Sequence, residues 1–292
     1  MKKSGKGQAY NILSPKMQNR MGYLFLLPWL IGIIIFTIIP SIITICLSFA
    51  RVEQNIGGFS IDFVGLDNYY MAFFQNLEFN PAMASYFIMI FTYTPTIIVI
   101  SLILAYFLNT KLRFRTIFRT IYFFPVIVLS GPVMYKVMDA GGAATNIILN
   151  DMFVFRMINY YSASVGEIIL NLFDNFVIIL WFTGIPIVLL INAFQKINPA
   201  LFEAAKIDSA SEWQILFKIT LPLIKSTALL VTIFTITQLG IFSINPVFEL
   251  IQDSILKTSR GLGLASVYAW VYSLSTLLVI GLAALLLRNK NN

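Results

Sequence analysis

Few residues of this chain are suited to covalent or acid–base chemistry. Histidine, the commonest general base and metal ligand, is absent from the 292 residues. Cys46 is the single cysteine, which excludes an intrachain disulfide. It lies inside an apolar run, which indicates a small packing residue. The phosphate-binding pattern G-x-x-x-x-G-K-[ST] does not occur. We therefore predict no catalytic, cofactor-binding or metal-binding residue, and we disfavour an enzyme.

The remaining candidates are uncharged polar and aromatic side chains within apolar stretches. Side chains of this kind can hydrogen-bond a hydroxyl-bearing solute, although amides also join membrane helices and tryptophan often lies at a membrane interface. The side chains that we select as candidate contacts to a solute are Tyr93, Tyr135, Asn175, Trp181, Gln238 and Asn245. A purely structural role is the competing interpretation for each of them.

The composition indicates that membrane helices position these residues. Apolar residues make up 58% of the chain and charged residues only 11%, against about 25% charged in soluble domains. A spanning helix needs about 20 mostly apolar residues. Six windows satisfy that length, at 22–49, 85–109, 117–137, 168–195, 222–246 and 261–287. The first apolar run is too long for a signal peptide, so we expect an all-α protein that crosses the membrane six times.

The distribution of charge predicts how the chain is oriented. Most lysines and arginines fall before the first span, between spans two and three, between spans four and five, and after the last span. The positive-inside rule then places both termini in the cytoplasm. We interpret the net charge of +7 as this orientation signal and not as a nucleic-acid footprint.

The spans and loops divide the chain into five parts. A cytoplasmic segment at 1–21 precedes the first transmembrane helix at 22–49, and an extracytoplasmic loop follows at 50–84. A core of five helices covers 85–288 and includes a cytoplasmic loop at 198–222, and a short tail covers 289–292. No internal repeat is visible, and the acidic residues lie near span ends. Both observations disfavour an ion-coupled secondary transporter.

The loop at 198–222 has the pattern of two short helices joined by a turn. Asn198 suits a helix cap and Pro199 a first helical position. Ser209 and Glu212 have the spacing of a capping box, which predicts the start of a second helix. Leu221-Pro222 would end that second helix. Taken alone, the pattern also fits an amphipathic loop that lies on a membrane surface.

Several stretches of the sequence resemble one protein family. EAAKIDSA at 203–210, followed by ITLP at 219–222, is similar to the signature of permease subunits of binding-protein-dependent ABC importers. The resemblance extends to the carbohydrate branch, which includes maltose-permease-like and glycerol-phosphate-permease-like subunits. The segments that carry it are YLFLLPWLIGIIIFTIIP at 23–40, FVGLDNY at 63–69, FRTIYFFP at 118–125 and GLGLASVYAWVY at 261–272.

The resemblance implies a role for the cytoplasmic loop. In that family the first short helix is a coupling helix, which fits a groove in an ATPase. The residues that the motif assigns to this role are Glu203, Ala204, Ala205, Asp208, Ser209 and Ala210. The family usually has glycine after the aspartate, and glycine permits a left-handed turn. Ser209 must either adopt that conformation with some strain or form a different turn.

The resemblance also implies a fold, partners and a function. The expected fold is the type I ABC importer transmembrane domain in a bacterial cytoplasmic membrane. The expected partners are a second, non-identical permease, two ATPase subunits that use ATP and Mg, an extracytoplasmic solute-binding protein and membrane lipid, but no nucleic acid. This chain would bind no cofactor and would form half of the pathway for a sugar or oligosaccharide. A non-sugar solute such as a glycerol phosphate ester is the alternative.

Overall fold

The computed structural model describes residues 15–55, 58–109, 136, 162–242, 244–257 and 261–287. Helices account for most of them. The helices are α1 (Pro15–Ile33), α2 (Ile39–Ser48), α3 (Asp67–Tyr70), α4 (Phe79–Asn109), α5 (Ala163–Asp174), α6 (Phe176–Gln195), α7 (Pro199–Ile207), α8 (Glu212–Gln214), α9 (Leu221–Leu223), α10 (Lys225–Gly240), α11 (Pro246–Ile255) and α12 (Gly261–Leu287). Short π-helical segments at Ile34–Ile38, Met71–Gln75 and Ile215–Thr220 continue neighbouring helices.

Two antiparallel strands form a hairpin between the first two long helices. Strand β1 (Ala50–Asn55) pairs with β2 (Gly58–Phe63), and the register sets Ala50 opposite Phe63. This hairpin and α7 lie at opposite ends of α4, because Phe79 at the start of α4 stacks on α12 near the hairpin, whereas Tyr106 near its end bonds the loop of α7. We refer to these as the hairpin end and the α7 end.

Four stretches are long and apolar enough to cross a membrane. They are Tyr23–Ser48, Phe79–Asn109, Ile178–Gln195 and Gly261–Leu287. A fifth is formed by Glu212–Leu223 and Lys225–Gly240 if this pair, bent by 72°, counts as one span. These stretches coincide with five of the six predicted windows. The window at 117–137, which includes Tyr135, lies outside the described residues except for residue 136.

The second span begins at Phe79, six residues before the predicted window. Asn76 sets this start, because its Oδ1 accepts hydrogen bonds from the backbone N–H groups of Glu78, at 2.7 Å, and Phe79, at 3.1 Å. Phe79 is fully buried and stacks on Tyr268 with 4.6 Å between the ring centroids. Hydropathy alone misses this first turn because Asn80 and Pro81 lower the average.

The fourth and fifth predicted windows are each divided in the structure. The window at 168–195 contains α5 and α6, which meet at Asn175. In the window at 222–246 the helix ends at Gly240. Near the start of that window the helix is bent at Ile224, where φ is −91° and ψ is 5°. Pro222 precedes this bend and removes a backbone donor from the helix. The apolar windows therefore locate the spans but not their breaks.

Two apolar clusters hold the long helices together. The hairpin-end cluster includes Tyr86 and Ile90 of α4, Ile179 of α6, and Leu239 of α10. The α7-end cluster joins α4, α6 and α10 nearer the other end, with members that include Ala105, Leu108, Leu190, Phe194, Ile197, Ile224 and Val231. Helices α4 and α6 pack along most of their length and contribute to both clusters.

A buried amide joins the first span to the hairpin. Asn68 has no exposed surface, and its Nδ2 donates hydrogen bonds to the carbonyl oxygens of Ser48, at 3.0 Å, and Ala50, at 2.8 Å. Gly263 of α12 lies against the same group, since a Cβ at this position would meet the Ala50 oxygen and Asn68 Nδ2. The segments FVGLDNY and GLGLASVYAWVY, almost 200 residues apart, therefore meet at one contact.

We predict that Gly263→Ala destabilises the protein, whereas Gly281→Ala in the same helix does not. A methyl group at 263 must displace backbone and a buried amide, which costs about 1–3 kcal/mol. At 281 nothing lies within 4 Å of the added Cβ, so the gain in helix propensity is about 1 kcal/mol or less. The midpoint of thermal unfolding in detergent micelles measures both, and equal midpoints would contradict the contact described here.

Candidate functional site

Helix α7 is a short helix between the two spans that contain α6 and α10. Asn198 caps its start, since Oδ1 accepts a hydrogen bond from the N–H of Ala200 at 3.0 Å. Pro199 occupies the first turn, where its missing N–H costs no helical hydrogen bond. Phe202 packs against the α7-end cluster. The predicted cap and first helix are thus present, and the helix is attached to the bundle by an aromatic side chain.

The end of α7 is a Schellman motif with serine where glycine is usual. The N–H of Ala210 donates to the carbonyl of Ala205 at 2.9 Å, and that of Ser209 to the carbonyl of Lys206 at 3.1 Å. Ser209 has φ +58°, and no other non-glycine residue in the described part of the chain has a positive φ. Of the two possibilities open from sequence, Ser209 adopts the left-handed conformation with its steric strain.

The second helix of the loop begins two residues later than predicted. Ser211 and Gln214 form the capping box, with hydrogen bonds of 3.3 Å from the N–H of Gln214 to Ser211 Oγ and 2.9 Å from the N–H of Ser211 to Gln214 Oε1. The predicted box of Ser209 and Glu212 is wrong. A cap residue needs extended backbone, which Ser211 has and the left-handed Ser209 has not.

Glu212 instead connects the loop to a long helix. One carboxylate oxygen accepts a hydrogen bond from the hydroxyl of Tyr106 in α4 at 3.0 Å. The other lies 3.8 Å from Lys206 Nζ of α7. Both charged side chains are well exposed, so the ion pair contributes at most about 1 kcal/mol. Together the two contacts connect α7 to α4 through Glu212.

The motif residues of α7 divide into exposed and buried positions. Glu203, Ala204 and Asp208 are exposed, and so is Ser209. Ala205 is only 7% exposed, so its methyl group packs within the chain and offers no surface to a partner. Ala210 is partly buried and donates the closing hydrogen bond of the Schellman motif.

Large apolar side chains surround the exposed motif residues. Ile207 is 83% exposed at the end of α7. The rings of Trp213 and Phe217 are also exposed and stack on each other with centroids 5.8 Å apart. Leu201 adds to this surface from the first turns of α7. Exposed apolar side chains of this kind mark contact with a partner or with a membrane surface.

A second region of interest is a cleft of about 650 Å³ between α4, α5 and the segment Ile244–Pro246. We call it the α4–α5 cleft. Its polar lining on the α4 side is Ser85, Thr92 and Tyr93. On the α5 side it is Ser164, Glu167 and Asn171, followed by Asn175 at the junction. The volume falls in the range of small-molecule sites, about 300–1,000 Å³.

The structure brings two of the predicted solute contacts, Tyr93 and Asn175, into this cleft. The hydroxyl of Tyr93 donates to Asn171 Oδ1. Asn175 Nδ2 donates to the carbonyl oxygen of Asn171, at 2.9 Å, and lies 3.3 Å from its Oδ1. Asn171 therefore links both predicted residues, although it was not among the selected six.

The other predicted solute contacts lie elsewhere. Trp181 packs on Phe182 and Phe242, and Gln238 is partly buried on α10; neither borders the α4–α5 cleft. Asn245 is fully buried and caps α11, since Nδ2 donates to the Gly240 carbonyl at 2.6 Å and Oδ1 accepts from Val247 N–H at 3.1 Å. Tyr135 lies outside the described residues.

Selection by residue type also missed part of the cleft wall. Ser164, Glu167 and Asn171 follow one another at spacings of three and four, so they share one face of α5. That periodicity is visible in the sequence. It was overlooked because the predicted span began only at 168, which left Ser164 and Glu167 in a loop.

Comparisons with known proteins give consistent results. No family model matches the chain. The osmoprotective compounds uptake permease protein GgtC of Synechocystis sp. is 31% identical over 231 residues, which cover 76% of this chain and 78% of that protein. The arabinooligosaccharides transport system permease protein AraP of Halalkalibacterium halodurans is 29% identical over 231 residues, covering 77% and 69%. The alpha-glucoside transport system permease protein AglF of Rhizobium meliloti is 31% identical over 237 residues, covering 76% and 66%.

One solved structure is similar in fold over nearly the whole chain. It is a bacterial alginate ABC transporter in complex with an alginate pentasaccharide-bound periplasmic protein. The TM-score is 0.65 at 18% identity, and the match covers 93% of this chain and 95% of the other. A second crystal structure, of a bacterial ABC transporter that imports the acidic polysaccharide alginate, gives a TM-score of 0.61 at the same identity and covers 94% and 97%.

We predict that Ser209→Gly makes the α7 turn more stable and that Ser209→Val makes it less stable. Glycine removes the strain of a left-handed residue, about 1 kcal/mol, whereas a β-branched side chain increases it. Amide hydrogen exchange of residues 204–212 should slow in the first variant and accelerate in the second. Ser211→Ala is the control, since it removes a cap without touching the turn and accelerates exchange in α8. Faster exchange in Ser209→Gly would contradict the prediction.

Proposed function

Since this chain belongs to the carbohydrate branch of the permease subunits of binding-protein-dependent ABC importers, we propose that it forms half of the pathway of an ATP-driven importer for a sugar or oligosaccharide. It is a multi-pass protein of the cytoplasmic membrane and a transporter subunit, not an enzyme. The proposal concerns what drives it, what it assembles with and what it carries.

The observation that carries the proposal is the exposed surface of α7. This helix presents Glu203, Ala204 and Asp208, and apolar side chains flank it. Phe202 attaches it to the α7-end cluster, and Glu212 ties the loop to α4. A partner that pushes on α7 would therefore displace the long helices with it. In this proposal the partner is one of two ATPase subunits, which use ATP and Mg; this chain binds neither.

The proposed arrangement in the membrane has six spans with both termini in the cytoplasm. Five apolar stretches of the described residues support five spans, and the sixth is the predicted window at 117–137. The charge distribution supports the orientation, because the loop around α7 carries Lys196, Lys206, Lys218 and Lys225. The α7 end is then cytoplasmic and the hairpin end extracytoplasmic.

The relatives that are named for their cargo support the proposed solute and partners. AraP is named for arabinooligosaccharides and AglF for alpha-glucosides, and the alginate transporter is seen with a saccharide-bound periplasmic protein. We extend these to a sugar or oligosaccharide for this chain, delivered by a solute-binding protein at the hairpin end. A second, non-identical permease subunit would complete the pathway.

We predict that Glu203→Arg uncouples transport from ATP hydrolysis while the complex still assembles. Glu203 is exposed and makes no ion pair within the described part of the chain, so the substitution should leave the fold intact. It reverses a charge on the surface proposed to contact the ATPase, and reversing a charge across an interface costs several kcal/mol. Solute uptake and solute-stimulated ATP hydrolysis of the importer in liposomes are the measurements.

Glu203→Asp is the matched control, because it keeps the negative charge at the same exposed position. The control should retain both activities. Two results would overturn the proposal: uptake and ATP hydrolysis unaffected by Glu203→Arg, or a tagged chain that isolates without ATPase subunits and accumulates solute on an ion gradient alone.

A further inference from the structure

The α4–α5 cleft combines hydrogen-bonding and apolar side chains. Ser164, Glu167 and Asn171 form a polar line along one face of α5, because spacings of three and four return to the same face of a helix. Ile88 and Met89 of α4 and Ile168 of α5 provide apolar surface among the polar groups. This mixture fits a molecule with hydroxyl groups and C–H faces.

The amides of the cleft are oriented by each other. Asn171 Oδ1 accepts from the Tyr93 hydroxyl and from Asn175 Nδ2, which holds the Asn171 amide in one orientation. Within the described part of the chain, Asn171 Nδ2 donates to no acceptor and Asn175 Oδ1 accepts from no donor. The cleft thus retains one amide donor and one amide acceptor that a hydroxylated ligand can use.

Glu167 gives the cleft its charge. It is exposed and forms no ion pair with a described residue, and the described lining contains no lysine or arginine. Its carboxylate can accept hydrogen bonds from ligand hydroxyl groups but repels a second anion bound directly beside it, and water at this exposed position weakens that repulsion. The lining is therefore matched to neutral hydroxylated molecules and mismatched to anionic ones.

From these observations we propose that the α4–α5 cleft is a binding site for neutral, sugar-like solutes and that Glu167 determines specificity by excluding anionic ones. The proposal rests on the proposed function. It locates the solute pathway at this cleft, and it adds that the solutes are neutral. The proposed solutes differ in charge from the cargo of the structural neighbours, which is the acidic polysaccharide alginate. A uronic acid or a phosphate ester would be rejected here.

The test uses the importer complex purified through this chain and placed in lipid nanodiscs. The probes are methyl glucoside and methyl glucuronide, together with the corresponding galactoside and galacturonide, and within each pair only a CH₂OH group is exchanged for a carboxylate. Saturation-transfer NMR detects weak binding of each probe. We expect the wild-type complex to bind the neutral member of a pair roughly tenfold more tightly than the anionic one.

Three variants assign the effect to named groups. Glu167→Gln should remove the discrimination by raising the affinity for uronides roughly tenfold while neutral probes bind as before. Asn171→Ala should weaken binding of neutral probes roughly fivefold, since a hydrogen-bonding group is lost. Glu249→Gln is the control: it neutralises an exposed carboxylate of α11 outside the cleft and should leave discrimination unchanged.

Three results would overturn the inference. They are equal binding of both members of a pair to the wild type, discrimination that persists in Glu167→Gln, and absence of saturation transfer from every neutral probe. If uptake depends on Glu203 but selectivity does not depend on Glu167, this inference is disproved. The proposed function is then unaffected. Isolation without ATPase subunits disproves the proposed function instead, so the two failures are distinguishable.

Discussion

The packing of α4 against α6 is the constraint on which the rest of the structure depends. Both helices contribute to the hairpin-end cluster and to the α7-end cluster. Tyr93 and Tyr106 belong to the same helix, and their separation of 13 positions corresponds to about 20 Å of helix rise. One tyrosine borders the cleft and the other bonds the loop that carries α7. Both regions are therefore attached to one helix, whose close packing against α6 leaves little room for either to shift alone.

Features set by neighbouring residues were predictable from the sequence, whereas those set by distant contacts were not. The Asn198–Pro199 cap follows from local hydrogen bonding, and apolar run length located the spans. The capping box was misplaced because Ser209 and Ser211 both begin a suitable tetrad, and only the backbone conformation of Ser209 decides between them. Asn245 was indistinguishable from a ligand-binding amide until both ends of its side chain were seen bonded to backbone.

Ser209 shows how local preference and global arrangement conflict at a position of functional interest. The residue closes a helix in a conformation that costs serine about 1–2 kcal/mol, and the cost persists because two backbone hydrogen bonds enforce the turn. Departures from local rules of this kind concentrate at functional sites. The turn lies between α7, whose acidic residues are exposed, and the segment that leads to α10, which begins at Lys225.

The first span is attached to the bundle very unevenly. Residues 23–31 are exposed along the whole of their length, whereas α2 packs on α12 and Thr44 accepts a hydrogen bond from Trp270 at 3.2 Å. A change in the length of this helix before residue 32 would not require the other described helices to repack. The turns near Thr44, by contrast, cannot shift without breaking contacts with α12.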